Sequence, residues 1–147
     1  MIKYSYRMKV FYKDVDKMGI VYYSRYLEFF EAARTEMLSS IGLDYEKVEE
    51  KGAMLPVIEA HTEYKKGAVF GQDITVHTTI AELPKVKMKF NYKVTHLNSD
   101  EILMTGHTIH AFTNLNSRPI KVPDYIKSLL ERHWTRYAGS ERGCAIC

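Results

Sequence analysis

Tyr26-Leu27-Glu28-Phe29-Phe30-Glu31-Ala32-Ala33-Arg34-Thr35-Glu36-Met37-Leu38-Ser39-Ser40-Ile41-Gly42 is the stretch that decides the fold. Tyr26, Phe30, Ala33, Met37 and Ile41 recur at spacings of four, three, four and four, the stripe of an α-helix. Leu27, Phe29 and Leu38 broaden that stripe, so burial on more than one side is expected. Gly42 supplies a C-terminal stop. A helix this apolar cannot rest on one flat surface. It needs a sheet that curls around it.

The flanking sequence supplies such a sheet. Five segments alternate with the period of two that marks half-buried strands. The first sets Ile2, Tyr4, Tyr6, Met8 and Val10 against Lys3, Ser5, Arg7 and Lys9. The second is less regular and runs from Val57 to Tyr64, and the third carries Ile74, Val76, Thr78 and Ile80. In the fourth, Val86, Met88, Phe90, Tyr92 and Val94 are expected to face inward, opposite Lys87, Lys89, Asn91 and Lys93. The fifth runs from Ile102 to Phe112, with Gly106 marking a bulge or a close backbone approach. Leu83-Pro84-Lys85 and Asn98-Ser99-Asp100 read as hairpin connections, so this part of the sheet should be antiparallel. Tyr45–Lys51 reads as a further turn or two of helix. Pro123 is expected to open a last helix whose apolar face is Ile126, Leu129, Leu130 and Trp134. The order is α+β, and with no repeat or linker we expect one domain over residues 1–135 and a flexible tail over 136–147.

Composition fits a globular domain. The 147 residues are 46% hydrophobic and 27% charged, and a net charge of +3 is too small to argue for nucleic-acid binding. No run approaches the roughly 18 apolar residues of a membrane-spanning helix. Residues 1–10 lack the apolar core of a signal peptide, which makes the cytoplasm the expected compartment. Cys144 and Cys147 fall too late to staple a fold; half a metal site, a prenylation box and a solvated tail compete, and the tail is the reading we favour.

Chemistry concentrates in Tyr12-Lys13-Asp14-Val15-Asp16-Lys17-Met18-Gly19-Ile20-Val21-Tyr22-Tyr23, between the first strand and the helix. A carboxylate can serve as base or nucleophile. Glycine lets backbone come close to a ligand. Unpaired amides at a helix start can stabilise an oxyanion. By spacing alone the Asp-x-Asp reads as a turn and an N-terminal charge cap rather than as a catalytic pair. A calcium loop does not fit, because Lys17, Ile20 and Val21 stand where oxygen ligands are needed.

The ordered string Tyr-x-Asp-Val-Asp-x-x-Gly-Ile-Val-Tyr-Tyr, followed by residues 26–34, resembles the hotdog thioesterases of the 4-hydroxybenzoyl-CoA thioesterase family. Within that family it is similar to the short acyl-CoA thioesterases associated with the Tol-Pal system, over roughly residues 3 to 130 including Glu63-Tyr64 and Arg118-Pro119-Ile120. The resemblance implies a five-stranded antiparallel sheet around one long helix, a short C-terminal helix, and hydrolysis of an acyl-CoA without metal or redox cofactor. It also implies a homodimer or homotetramer in which sheets join edge to edge. On residues, it implies that Asp16 is the catalytic carboxylate and that Gly19 marks close passage of backbone to the thioester. The Tyr23 backbone amide would polarise the carbonyl, while Asp14 orders the loop. Tyr23 stands where that branch often has His, which removes a side-chain role there but leaves the amide.

Other groups weigh less. The six histidines show no metal-ligand spacing, and His107 and His110, three apart on a strand, should face opposite sides. Lys85, Lys87 and Lys89 alternate, so on a strand they would form a row roughly 6–7 Å apart. They read either as a solvated face or, as the resemblance implies, as a dock for coenzyme A phosphates with Arg118 as a further contact. Two other functions compete with hydrolysis. An enoyl-thioester hydratase would need an Asp-x-x-x-x-His arrangement, and no His follows Asp14 or Asp16 at that distance. A non-catalytic acyl-CoA-binding or scaffold protein would not need Asp16.

Overall fold

Alternation of side chains becomes register in the computed structural model, which describes residues 1–135. In chain order the elements are β1 (Ile2–Lys9), a 3-10 turn (Tyr12–Asp14), α1 (Arg25–Ser40), α2 (Tyr45–Glu50), β2 (Ala53–Met54) and β3 (Val57–Tyr64). They continue with β4 (Asp73–Ile80), β5 (Lys87–His96), β6 (Ile102–Ala111), β7 (Thr113–Asn114) and α3 (Asp124–Arg132). Five strands form one sheet in the order β1-β4-β5-β6-β3, antiparallel at each pairing. β2 and β7 pair separately. Strands of two residues carry no readable alternation, so this pair is visible only in the fold.

α1 lies against the concave face, closest to β1 and β4. Tyr26, Phe29, Phe30, Ala33, Met37 and Leu38 are buried, but Leu27 is exposed, so the buried stripe is narrower than the sequence suggested. Phe30 stacks on Tyr92, with ring centroids 4.0 Å apart and planes 3° from parallel. Gly106 makes this possible. A Cβ there would sit 2.6 Å from the His61 carbonyl oxygen and 2.9 Å from the Phe30 ring, so the close-approach reading holds. The bulges lie elsewhere, between Val94 and Thr95 and between Val57 and Glu59.

On β5, Met88, Phe90, Tyr92 and Val94 point inward as expected, whereas Val86 precedes the strand and is exposed. Pro123 caps α3 rather than opening it, and Ile126 and Leu130 anchor that helix in the core. Gly42 has φ +88°, the left-handed stop. Beneath β5 and β6 the core turns polar. The His110 Nδ1 proton is donated to the Leu55 carbonyl at 3.0 Å, which leaves Nε2 to accept from the Thr108 hydroxyl at 3.0 Å. The Tyr92 hydroxyl then donates to Thr108 Oγ1 at 2.7 Å. Burial pushes His110 down to about 4, so the imidazole is neutral.

Candidate active site

The motif between β1 and α1 folds as a small hairpin. Val15 and Val21 form an antiparallel bridge, the Asp16 N–H donates to the Ile20 carbonyl at 2.9 Å, and the Gly19 N–H donates to the Asp16 carbonyl at 3.0 Å. Gly19 has φ +81° and its missing Cβ would touch nothing within 4 Å. Its demonstrable task is thus the left-handed residue that closes a three-residue loop. Asp16 occupies the turn's first position, with Oδ1 accepting the Met18 N–H at 2.8 Å. That bond fixes the carboxylate. Among the described residues its Oδ2 has no hydrogen-bond partner.

Asp14 has the opposite fate. It is 3% exposed, its Oδ2 accepts the Phe11 N–H at 2.9 Å, and its carbonyl accepts the Tyr22 N–H at 2.8 Å. It orders the chain between strand and helix. Spacing could not separate these acids; burial does.

α1 starts beside the hairpin. Among the described residues the Tyr23 amide N–H has no partner, and the Tyr64 hydroxyl donates to the Tyr23 carbonyl at 2.9 Å, tying the helix start to the end of β3. The result is a cleft of about 310 Å³ lined by Asp16, Met18, Tyr23, Tyr26, Tyr64 and Lys65, among others. Tyr26 meets the Tyr64 ring edge-on with centroids 5.6 Å apart. The Tyr22 hydroxyl is held above its ordinary range, chiefly by its hydrogen bond to Tyr23 and less by the Asp16 charge. Burial does the same to Tyr26.

One wall of this cleft was not anticipated. Tyr64, Lys65, Lys66 and Gly67 arrive from the far edge of the sheet through an Ile20–Val69 bridge and a Val21 N–H to Ala68 carbonyl bond of 2.9 Å. A Cβ at Gly67 would meet the Ile20 side chain at 2.9 Å, so this glycine lets the wall close onto the hairpin. Nothing local in the sequence links residues some forty-five positions apart.

The lysine row is only partly a row. Lys87 and Lys89 lie on the exposed face of β5, but Lys85 sits on the bend before it, where its carbonyl accepts the Val122 N–H at 2.6 Å. The Phe112 N–H reaches the Val86 carbonyl at 3.2 Å, bringing the segment that carries exposed Arg118 to the same end of the sheet. Lys89 pairs across Ile109 to Glu59, five residues from Tyr64 and so roughly 17 Å from the cleft along the strand. Within one chain the structure gathers Asp16, Gly19 and Tyr23 but leaves Lys85, Lys87, Lys89 and Arg118 apart.

Among the described residues no group of three or more His, Cys, Asp or Glu could hold a metal, and no helix is long and apolar enough to cross a membrane. Cys144 and Cys147, with the expected tail, lie outside the described residues.

A long helix held in a five-stranded antiparallel sheet, with an acidic hairpin at the helix start, is the hotdog architecture. The chain belongs to the thioesterase-like superfamily, whose family model matches residues 10–130. Among similar structures is a protein of Thermus thermophilus without an assigned function, 33% identical, with a TM-score of 0.80 over 88% of this chain and 98% of that one. The DHNA-CoA thioesterase of Staphylococcus aureus is 26% identical with a TM-score of 0.80, covering 89% of this chain and 88% of its own. An acyl-CoA thioesterase of Haemophilus influenzae is 27% identical over 85% of this chain and 92% of its own length.

Proposed function

We propose that this protein hydrolyses an acyl-CoA thioester to the free acid and coenzyme A, with Asp16 as its catalytic carboxylate. The observation that carries the reading is the pairing, in one cleft, of a fixed carboxylate whose second oxygen has no partner and the unpaired Tyr23 amide, two residues before α1 begins. In this reading the Tyr23 N–H, just ahead of the positive end of α1, stabilises negative charge as the carbonyl oxygen becomes an oxyanion. Asp16 either attacks the carbonyl carbon, giving an acyl-aspartyl anhydride that water then hydrolyses to the free acid and the restored carboxylate, or removes a proton from a water that attacks the carbonyl directly. In both routes the C–S bond breaks and the thiolate leaves, taking a proton from solvent. Tyr23, Tyr26, Tyr64 and Met18 offer aromatic and apolar walls to the acyl group.

The working unit in this reading is a homodimer, alone or within a tetramer, joined through β3. That strand is an edge with Val57, Ile58 and Tyr64 exposed. Symmetric antiparallel pairing reverses the partner's strand, so Lys85 of the partner subunit is carried toward the end of the sheet where Asp16 lies. Lys87 and Lys89 of the partner subunit, with Arg118 of the partner subunit, would then meet the phosphates of coenzyme A. The reading places the enzyme in the cytoplasm. A thiol-release assay over short aliphatic, hydroxybenzoyl and naphthoyl-CoA is expected to show turnover of at least one class. Intact thioester in every case would refute the assignment.

A further inference from the structure

Arg34 is the most buried cation of the described residues, 8% exposed, with Nε unpaired. The hydroxyls of Tyr92 and Tyr45 lie beside it, with neutral His110 nearby; among the described residues no carboxylate forms an ion pair with it. A buried guanidinium without a counter-charge is costly. It borders a cavity of about 230 Å³ lined by Glu28, Glu31 and Arg34 of α1, Val57 and Ala60 of β3, and Thr108 of β6.

The acids at the rim differ. Glu28 is engaged by Arg25 at 2.7 Å, whereas exposed Glu31 has no cation partner among the described residues. One helix face thus offers an unmatched cation and an unmatched anion three residues apart. A free anion entering this cavity would pass two carboxylates. A second copy of the chain brings its own. In the edge-to-edge dimer proposed above, a two-fold axis through the middle of β3 would pass beside Ala60, which lines the cavity, and contacts across such an axis are reciprocal.

We propose that Glu31 of the partner subunit ion-pairs with Arg34 across this axis, so that the contact is made twice per dimer and closes the cavity. The proposal rests on the edge-to-edge dimer above and adds the residues that select its register.

Sedimentation over a dilution series of the full chain tests it. Glu31→Gln should weaken the dimer about tenfold and Glu31→Arg about a hundredfold, without loss of fold because Glu31 is exposed. The exchanged pair, Glu31→Arg with Arg34→Glu, should recover to within about tenfold of the parent. Should Arg34→Glu fail to fold, the two Glu31 variants still decide. An unchanged dissociation constant in both, or an exchange no better than Glu31→Arg alone, would overturn the ion pair. So would an intact dimer whose KM shifts for particular acyl-CoAs, which would make the cavity a substrate subsite. A parent chain that is monomeric throughout removes the dimer itself, whereas a dimer indifferent to Glu31 removes only the contact.

Discussion

β1 and β3 are the two edges of one sheet, each eight residues long, and they present opposite surfaces. β1 carries Lys3, Arg7 and Lys9 on its outer face and has α1 packed beneath it. Charged outward residues of this kind discourage pairing with another strand. β3 has no lysine or arginine, exposes Val57, Ile58 and Tyr64, and borders the open cavity beside Arg34. The interior follows the same division. Ile2, Ile74, Val76 and Ile80 line the β1–β4 side with Thr78 as a buried hydroxyl among them, while Thr108, His110 and Arg34 add a larger polar group to the β6–β3 side beside Leu103 and Met104. A cavity of about 660 Å³ also lies against β1, but Arg7, Lys93 and Asp100 place charge around it. The proposed dimer is assigned to the β3 edge, and the Asp16 cleft opens beside that edge.

Acid separates the two sides most strongly. His110 titrates near 4 when folded, because burial disfavours its charged form, and near 6.5 when unfolded. Between these values the unfolded chain binds a proton that the folded chain refuses. The contribution of His110 is therefore complete above pH 6.5 and lost as pH falls through 4, amounting to roughly 3 kcal/mol. Denaturant unfolding at pH 7 and pH 4.5 should show that fall, and His110→Gln should reduce it. Equal slopes for parent and variant would show that the polar side does not titrate in this way.

A smaller effect is expected from giving β3 the protection β1 already has. Ile58→Lys with His61→Lys should weaken the dimer about a hundredfold, with thiol release falling at the same protein concentrations. Ser5→Lys on β1 should change neither. Sedimentation and activity measured on the same dilutions check this, and equal responses of the two edges would erase the distinction.

The sequence made most of this frame legible. The bounds of β3, Val57–Tyr64, were readable because a period of two survives even on an exposed edge. The stripe of α1 is readable too, but its periodicity puts Leu27 in the core, because hydrophobicity cannot reveal that the sheet fails to cover one flank. Lys85 was placed on a strand because alternation continued past the point where the backbone bends. Tyr64, Lys65 and Gly67 were missed as cleft residues, since their link to Ile20 and Asp16 is purely tertiary. Asp14 and Asp16 were told apart only through family resemblance. Their difference rests on which carboxylate the Phe11 amide claims.

That difference supplies the most direct test. Asp16→Asn keeps the side chain's shape and its bond to Met18 but can neither accept a proton as a base nor form an anhydride. It should lower kcat by about a hundredfold or more, with KM nearly unchanged. Asp14→Asn should retain most of kcat while losing about 1–2 kcal/mol of stability, because the part-buried bond from the Phe11 N–H loses its charged acceptor. The measurement is kcat and KM for both variants on a substrate the parent turns over. A collapse of kcat confined to Asp16→Asn is the predicted result, and near-normal turnover by Asp16→Asn would contradict the account.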